Sequence, residues 1–236
     1  MRSSTFTAAA VVALSASTAF GQAFLDAGHF DLEIETEINA TNDGVDEVKF
    51  AIKNKDFPNS PFLEEYEPDE AFLVPTSFRT QSGALGGIAD GASVFFVPEV
   101  QDPATLWLGL ASDDTPDNVL VDDRYEVSLI GFSGPAGGTF VASQDDGFGN
   151  PIIFIDTSDG IQNDDPLFAP VGDNHYEYAF DTLGTYELTF RASAVTETAF
   201  GGVPISATGT YTFFVPEPAT AGLFGIAAMV GLRRRR

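Results

Sequence analysis

The stretch Phe30-Asp31-Leu32-Glu33-Ile34-Glu35-Thr36-Glu37-Ile38 alternates apolar or β-branched residues with acids without a break. Side chains of an extended chain point to opposite faces in turn, so this pattern predicts a half-buried antiparallel strand with four carboxylates facing away from the core. A helix would scatter both sets around its circumference. Similar short runs follow at Val48 to Ile52, Phe72 to Val74, Ser93 to Val97, Leu106 to Leu110, Tyr125 to Phe132, Thr139 to Ser143, Ile152 to Asp156, His175 to Phe180, Thr185 to Ala194 and Ala207 to Val215. Loops rich in Gly, Pro, Asp and Asn separate them, as in Asp113-Asp114-Thr115-Pro116-Asp117-Asn118. No segment of this middle carries a sustained helical stripe. The expected fold is all-β: a single antiparallel β-sandwich, immunoglobulin-like or jelly-roll-like, over residues 24–215. Thr182-Leu183-Gly184-Thr185 predicts a tight hairpin or a sandwich corner with Gly184 at positive φ. The proline- and acid-rich stretch from Asn54 to Glu70 predicts a surface loop.

The two ends do not follow the strand pattern. Arg2 followed by the apolar run Ala8 to Leu14 and by Gly21-Gln22-Ala23 reads as a signal peptide over residues 1–23, cleaved after Ala23 so that the mature chain starts at Phe24. At the other end, residues 216–236 hold an apolar run from Ala219 to Leu232. As a helix this hydrophobic sorting segment would span only about 21 Å, short of the roughly 30 Å hydrocarbon core of a bilayer. Arg233, Arg234, Arg235 and Arg236 behind it would hold the tail on the cytoplasmic side of a membrane. Val215-Pro216-Glu217-Pro218 in front is rigid and extended, because two prolines can neither join a sheet interior nor continue a helix. The order of proline motif, short apolar run and arginine cluster resembles the PEP-CTERM sorting signal. That resemblance implies recognition by an exosortase, a membrane transpeptidase-like enzyme.

Composition narrows the partners. Lys and Arg number 11 against 35 Asp and Glu, a formal net charge of −24, and Arg2 and Arg233 to Arg236 stand at the extreme ends, so the middle is more acidic still. Such a surface repels phosphate backbones and anionic lipid heads, and nucleic acid is excluded as a partner. The absence of cysteine removes disulfides, thiolate metal sites and cysteine nucleophiles together. Stability then rests on the core, for which 22 Phe are available.

Two histidines are the only ones in the chain, and each opens a predicted strand: His29 in Gly28-His29-Phe30-Asp31 and His175 in Asp173-Asn174-His175-Tyr176. Residues two apart on a strand share a face, so His29 with Asp31, and His175 with Asp173, each form a two-ligand edge. If the two strands are neighbours, four N and O ligands for zinc or another divalent ion converge. A histidine capping a strand end or satisfying a carbonyl explains the same residues, and spacing alone leaves both readings open. The acidic loops Asn42 to Glu47, Asp145 to Asn150 and Asp159 to Asp165 offer hard oxygens, but none has the alternating order of an EF-hand, and turn chemistry accounts for their composition. Ser133 in Gly131-Phe132-Ser133-Gly134 lacks a nucleophile elbow, and no phosphate-cradling glycine loop leads into a helix. No enzymatic activity is expected. Trp107 in Leu106-Trp107-Leu108 suits either a core position or sugar stacking.

Taken in order, Gly28-His29-Phe30-Asp31-Leu32, Val94 to Glu99 with Leu106-Trp107-Leu108-Gly109, Gly131 to Pro135, and His175 to Phe180 leading into Gly184 to Phe190 resemble the choice-of-anchor M domain. Members of that bacterial surface-domain family share a body and differ in their C-terminal anchors. The resemblance implies a secreted, surface-held β domain without an established activity. Some relatives are encoded beside metal-type transport systems. Where the family often shows His-x-His, this chain has Asp173-Asn174-His175, which weakens any inherited metal role although aspartate still ligates divalent ions.

The leading expectation is therefore a non-enzymatic protein of the cell envelope, cell surface or extracellular matrix of a Gram-negative-type bacterium. Its expected partners are the export machinery and exosortase, with a membrane contact through the C-terminal segment before processing. Capture of a divalent metal ion by His29, Asp31, Asp173 and His175 is the second reading. Binding of extracellular polysaccharide or envelope components, which requires an exposed aromatic row, is the third.

Overall fold

A computed structural model describes residues 22–162 and 166–217, and these form an all-β structure. In chain order the strands are β1 (Ala23–Leu25), β2 (Gly28–Ile38), β3 (Val45–Asn54), β4 (Glu65–Tyr66), β5 (Ala71–Leu73), β6 (Ser77–Thr80), β7 (Ser93–Val97) and β8 (Leu106–Ala111). There follow β9 (Arg124–Ser133), β10 (Phe140–Asp145), β11 (Pro151–Asp156), β12 (Leu167–Pro170), β13 (Asp173–His175), β14 (Glu177–Phe180), β15 (Gly184–Val195) and β16 (Pro204–Val215). Three sheets result, with strand orders β1-β5-β16-β15-β9-β12, β11-β10-β14-β7-β6 and β13-β8-β2-β3-β4. Among the described residues no helix is long and apolar enough to cross a membrane.

The long pair β15–β16 shows why these residues make a sheet. Tyr186, Leu188, Phe190 and Ala192 of β15 face inward and are buried, while Thr185, Glu187 and Arg191 between them are exposed. Twelve successive residue pairs bind β15 to β16 in one antiparallel register, from Gly184 opposite Val215 to Val195 opposite Pro204. The first sheet touches both others. Gly209 of β16 faces Phe50 of β3, whose Cβ would lie 2.7 Å from any Cβ at Gly209, and Tyr211 Oη donates to the carbonyl of Ala51 at 3.2 Å. Phe213 packs on Tyr178 and Phe180 of β14, with ring centroids 6.2 and 5.1 Å away. One hydrophobic cluster thereby draws on all three sheets.

Gly184 sits at φ +131°, and the segment before it carries the chain from β14 in the second sheet to β15 in the first: a corner rather than a hairpin. Tyr186 fastens that corner, because its hydroxyl accepts from the amide of Thr182 at 3.2 Å and donates to the carbonyl of Thr182 at 2.8 Å. Gly134 and Gly138 leave the room this ring needs, since a Cβ on either would come within 2.9 Å of it.

Several expectations are corrected. The sheets are not purely antiparallel: β1 with β5, β5 with β16, and β2 with β8 run parallel. The run from His175 to Phe180 is two strands in two sheets, broken at Tyr176, whose buried hydroxyl bonds both the amide and the carbonyl of Phe168. Alternation cannot register such a break, since the pattern continues across it. The stretch from Asn54 to Glu70 is not all loop; Glu65 and Tyr66 pair with Lys53 and Ile52 and extend the third sheet. The short strands β1, β4, β6 and β12 carry too few residues for a period to show.

Candidate metal centre

The third sheet brings the two histidines together across one intervening strand. β8 runs parallel to β2 on one side, with His29 opposite Trp107 and Asp31 opposite Gly109, and antiparallel to β13 on the other, with His175 opposite Gly109 and Asp173 opposite Ala111. The strands are therefore next-but-one neighbours, about 10 Å apart. Gly109 closes the gap. A Cβ at this position would lie 2.2 Å from Asp31 Oδ1 and 3.2 Å from His175 Cε1, so both side chains lean over the bare backbone of Gly109.

Three of the four residues singled out in the sequence, His29, Asp173 and His175, form one donor cluster there, and Asp31 touches it through His29 while grouping with Glu33 and Asp113. His29 Nε2 lies 3.2 Å from Asp31 Oδ1 and 3.9 Å from Asp173 Oδ2, and His175 Nε2 lies 3.0 Å from Asp173 Oδ2. Donor atoms of His29, Asp173 and His175 fall within 4.8 Å of one another. Asp31 is completely buried, yet neither of its oxygens receives a hydrogen bond, and the same is true of His29 Nε2 and His175 Nδ1. Buried polar atoms without hydrogen bonds are costly unless something else meets them.

The rings are held from behind. Trp107 stacks on His175 at 3.8 Å and 7°, and its ring lies 4.1 Å from that of His29. The indole N–H donates to the carbonyl of Glu99 at 3.0 Å, which fixes the indole in turn. Gln144 reaches over from the second sheet and donates to the carbonyl of His175 at 2.6 Å and to Asn174 Oδ1 at 2.8 Å. The amide of His29 donates to Asp56 at 2.8 Å. Trp107 thus packs against both imidazoles, while Gln144 and Asp56 hold the main chain from which they project.

The acidic face of β2 is the largest departure from the sequence reading. Asp31 and Glu33 were expected in solvent and are wholly buried. β8 ends opposite Glu33, and the turn that follows takes its place beside β2: Thr115 Oγ1 meets Thr36 Oγ1 at 2.8 Å, and the amide of Asp114 donates to Glu33 Oε1 at 3.4 Å. Lys55 Nζ lies 3.3 Å from Asp31 Oδ2 and bonds Asp113, while Lys53 bonds Asp114. Burial, and then a hydrogen bond with Asp113, push Glu33 up to about 9 from an ordinary 4.5, so it is protonated at neutral pH. That proton is donated to Asp113. Burial works against the Asp113 charge, but the bonds from Glu33 and Lys55 outweigh it and hold its carboxyl below the usual range. Burial likewise opposes the Lys55 charge and is outweighed by the bond to Asp113 and the field of Asp31, leaving the ammonium more basic than usual.

Sequence reasoning missed Trp107 as a neighbour of the histidines, and missed Gly109, Glu33, Lys55 and Asp113 altogether. The alternation Trp107-x-Gly109 and the two-residue step from Asp31 to Glu33 carried part of that signal; Lys55 and Asp113 lie in loops and carried none. The acidic loops behave as turns. Asp145 Oδ1 accepts from the amides of Gly147 and Gly149, and Asp146 Oδ1 from those of Phe148 and Asn150; Asp43 Oδ1 accepts from Asn39 and Thr41 side chains. Residues 163–165 of the third loop lie outside the described residues. So do residues 1–21, Pro218 and Arg233 to Arg236; Ala23 opens β1 with its amide bonded to the carbonyl of Glu70 at 2.8 Å, Val215 closes β16, and Pro216 and Glu217 follow it. All six tyrosines are buried and Trp107 covers His175, so none of these rings stands in an exposed stacking row.

Comparison of the chain with protein-family models, with curated proteins and with solved structures finds no match in any of the three.

Proposed function

We propose that this protein is an exported, surface-held β domain that captures one divalent transition-metal ion at His29, Asp31, Asp173 and His175. The observation that carries the metal reading is the buried Asp31 carboxylate, free of hydrogen bonds and 3.2 Å from a histidine nitrogen that also lacks one. Two imidazoles and two carboxylates form a mixed N/O donor set suited to zinc or manganese, whereas calcium favours oxygen alone. A bound ion would supply the positive charge that the four donors face, and Trp107 and Gln144 would keep the imidazoles in place without rearrangement.

The export reading rests on the two ends of the chain: the signal segment with its cleavage at Ala23, and the PEP-CTERM-like tail of Val215, Pro216, Glu217, Pro218 and the four arginines, handled by an exosortase. For the body, the hydroxyl of Tyr186 bonded back to Thr182 at a sheet-to-sheet corner favours an immunoglobulin-like sandwich over a jelly roll. Resemblance to the choice-of-anchor M domain fits the same picture.

One preparation tests both halves. Protein recovered from the envelope of producing cells should begin at Phe24 by mass spectrometry, and titration calorimetry should show one equivalent of zinc or manganese bound and none of calcium. Replacing His29 and His175 by alanine together should remove the heat. An intact Met1 on a cytosolic species removes the export half; unchanged heat in the double variant, or no heat in the parent, removes the metal half.

A further inference from the structure

Beside the proposed metal position lies a second set of donors made only of oxygen. Asp31, Glu33 and Asp113 each present an oxygen within 4.8 Å of the others. Asp31 and Glu33 are fully buried, and both oxygens of Asp31 and Oε2 of Glu33 receive no hydrogen bond. Asp113 stays in contact with solvent, whereas the enclosed carboxylate of Asp31 requires a cation beside it. Lys55 provides it, with its ammonium 3.3 Å from Asp31 Oδ2 and bonded to Asp113.

The two oxygens of Asp31 are divided. Oδ1 faces His29 at 3.2 Å, and Oδ2 faces Lys55. A carboxylate shared in this way between two cation positions is the arrangement of a bridged two-metal centre, in which the ions stand about 3.5–4 Å apart. Here one of the two positions is filled by a side chain of the protein itself. We infer that Lys55 occupies a second cation site formed by Asp31, Glu33 and Asp113, and that its ammonium limits the centre to a single metal ion. This rests on the metal reading of His29, Asp31, Asp173 and His175. The ammonium also holds Oδ2 away from the histidines, so Asp31 offers the metal one oxygen. Without Lys55, the three carboxyl groups form an all-oxygen site for a hard divalent ion such as manganese.

The test compares the full chain with its Lys55→Met variant, which keeps most of the apolar stem of the side chain and removes the ammonium. Each is loaded with zinc, then with manganese, desalted, and its metal content measured. The parent should hold one ion per chain, and Lys55→Met two, one of each metal. A parent without metal overturns the underlying metal reading and this inference with it. A parent with one ion and a folded Lys55→Met variant also with one overturns the second site and leaves the first intact. Should Lys55→Met not fold, the double variant Glu33→Gln, Lys55→Met keeps three oxygen donors with one fewer ionisable group and is read in the same way: two ions support the inference and one overturns it.

Discussion

Strands β2 and β15 are of similar length, 11 and 12 residues, and both alternate a core set with a polar set. Their inward faces are alike: Phe30, Leu32 and Ile34 on one, Tyr186, Leu188 and Phe190 on the other, all at 1% exposure or less. Their outward faces differ. Glu187 and Arg191 of β15 stand in water, and Thr189 bonds its cross-strand partner Thr210 at 2.9 Å. Asp31 and Glu33 of β2, at equivalent places in the pattern, are covered by the turn after β8, by Lys53 and Lys55, and by the histidine cluster. A polar residue at an alternate position is thus not a surface residue by virtue of the alternation. Whether it meets water depends on what the rest of the chain lays over it, and covering a carboxylate requires a proton, an ammonium or a metal to neutralise it.

The largest effects should be shared by the two strands. Leu32→Ala and Leu188→Ala should each destabilise by about 2–5 kcal/mol in denaturant unfolding, because both remove a fully buried side chain from the same core. A difference well beyond that range would mean that the inward faces are not equivalent after all.

The outward faces should separate next. Glu33 is pushed up to about 9, above its unfolded value of 4.5, so between these two pH values the folded protein binds more protons than the unfolded one. Stability therefore falls as pH rises through this window, and none of it is lost on this account below about pH 4.5. Glu33→Gln retains a donor toward Asp113 without the ionisation. In metal-free protein it should stabilise by about 3 kcal/mol at pH 7 and have little effect at pH 4. Glu187→Gln should change stability by no more than about 0.5 kcal/mol at either pH. Equal pH profiles for the parent and the Glu33→Gln variant would show that the carboxyl is solvated.

A smaller effect of the same kind is expected at two glycines. Gly109→Ala places a methyl 2.2 Å from Asp31 Oδ1, against a side chain that is enclosed, and should cost about 1–3 kcal/mol and abolish zinc binding. Gly131→Ala on the outer face of the first sheet meets Thr189 at 3.0 Å, where the neighbour can move, and should cost less than about 1 kcal/mol and leave zinc binding unchanged. If the two substitutions had equal effects on zinc uptake, Gly109 would not be the gap through which Asp31 and His175 approach one another.

Much of the architecture is legible in the residues one after another. Period two marks β2, β9, β15 and β16 because each is long enough for several alternations, and Gly184 marks its corner because only glycine takes φ +131° without strain. The break at Tyr176 is not legible, since a chain that leaves one sheet for another keeps the same backbone conformation on both sides. The pairing of His29 with Asp31 and of His175 with Asp173 follows from local geometry. Their convergence does not.

Local sequence, then, determined which residues form strands, which of their faces are apolar, and which donor groups sit two apart, since these depend only on the alternation of the extended chain. The tertiary structure alone decided that β8 runs between β2 and β13, that Gly109 lies where two side chains must meet, and that Lys55 and Asp113 close over a carboxylate face. Those are contacts between residues far apart in the chain, and their energies depend on which segments come to lie together rather than on any single segment.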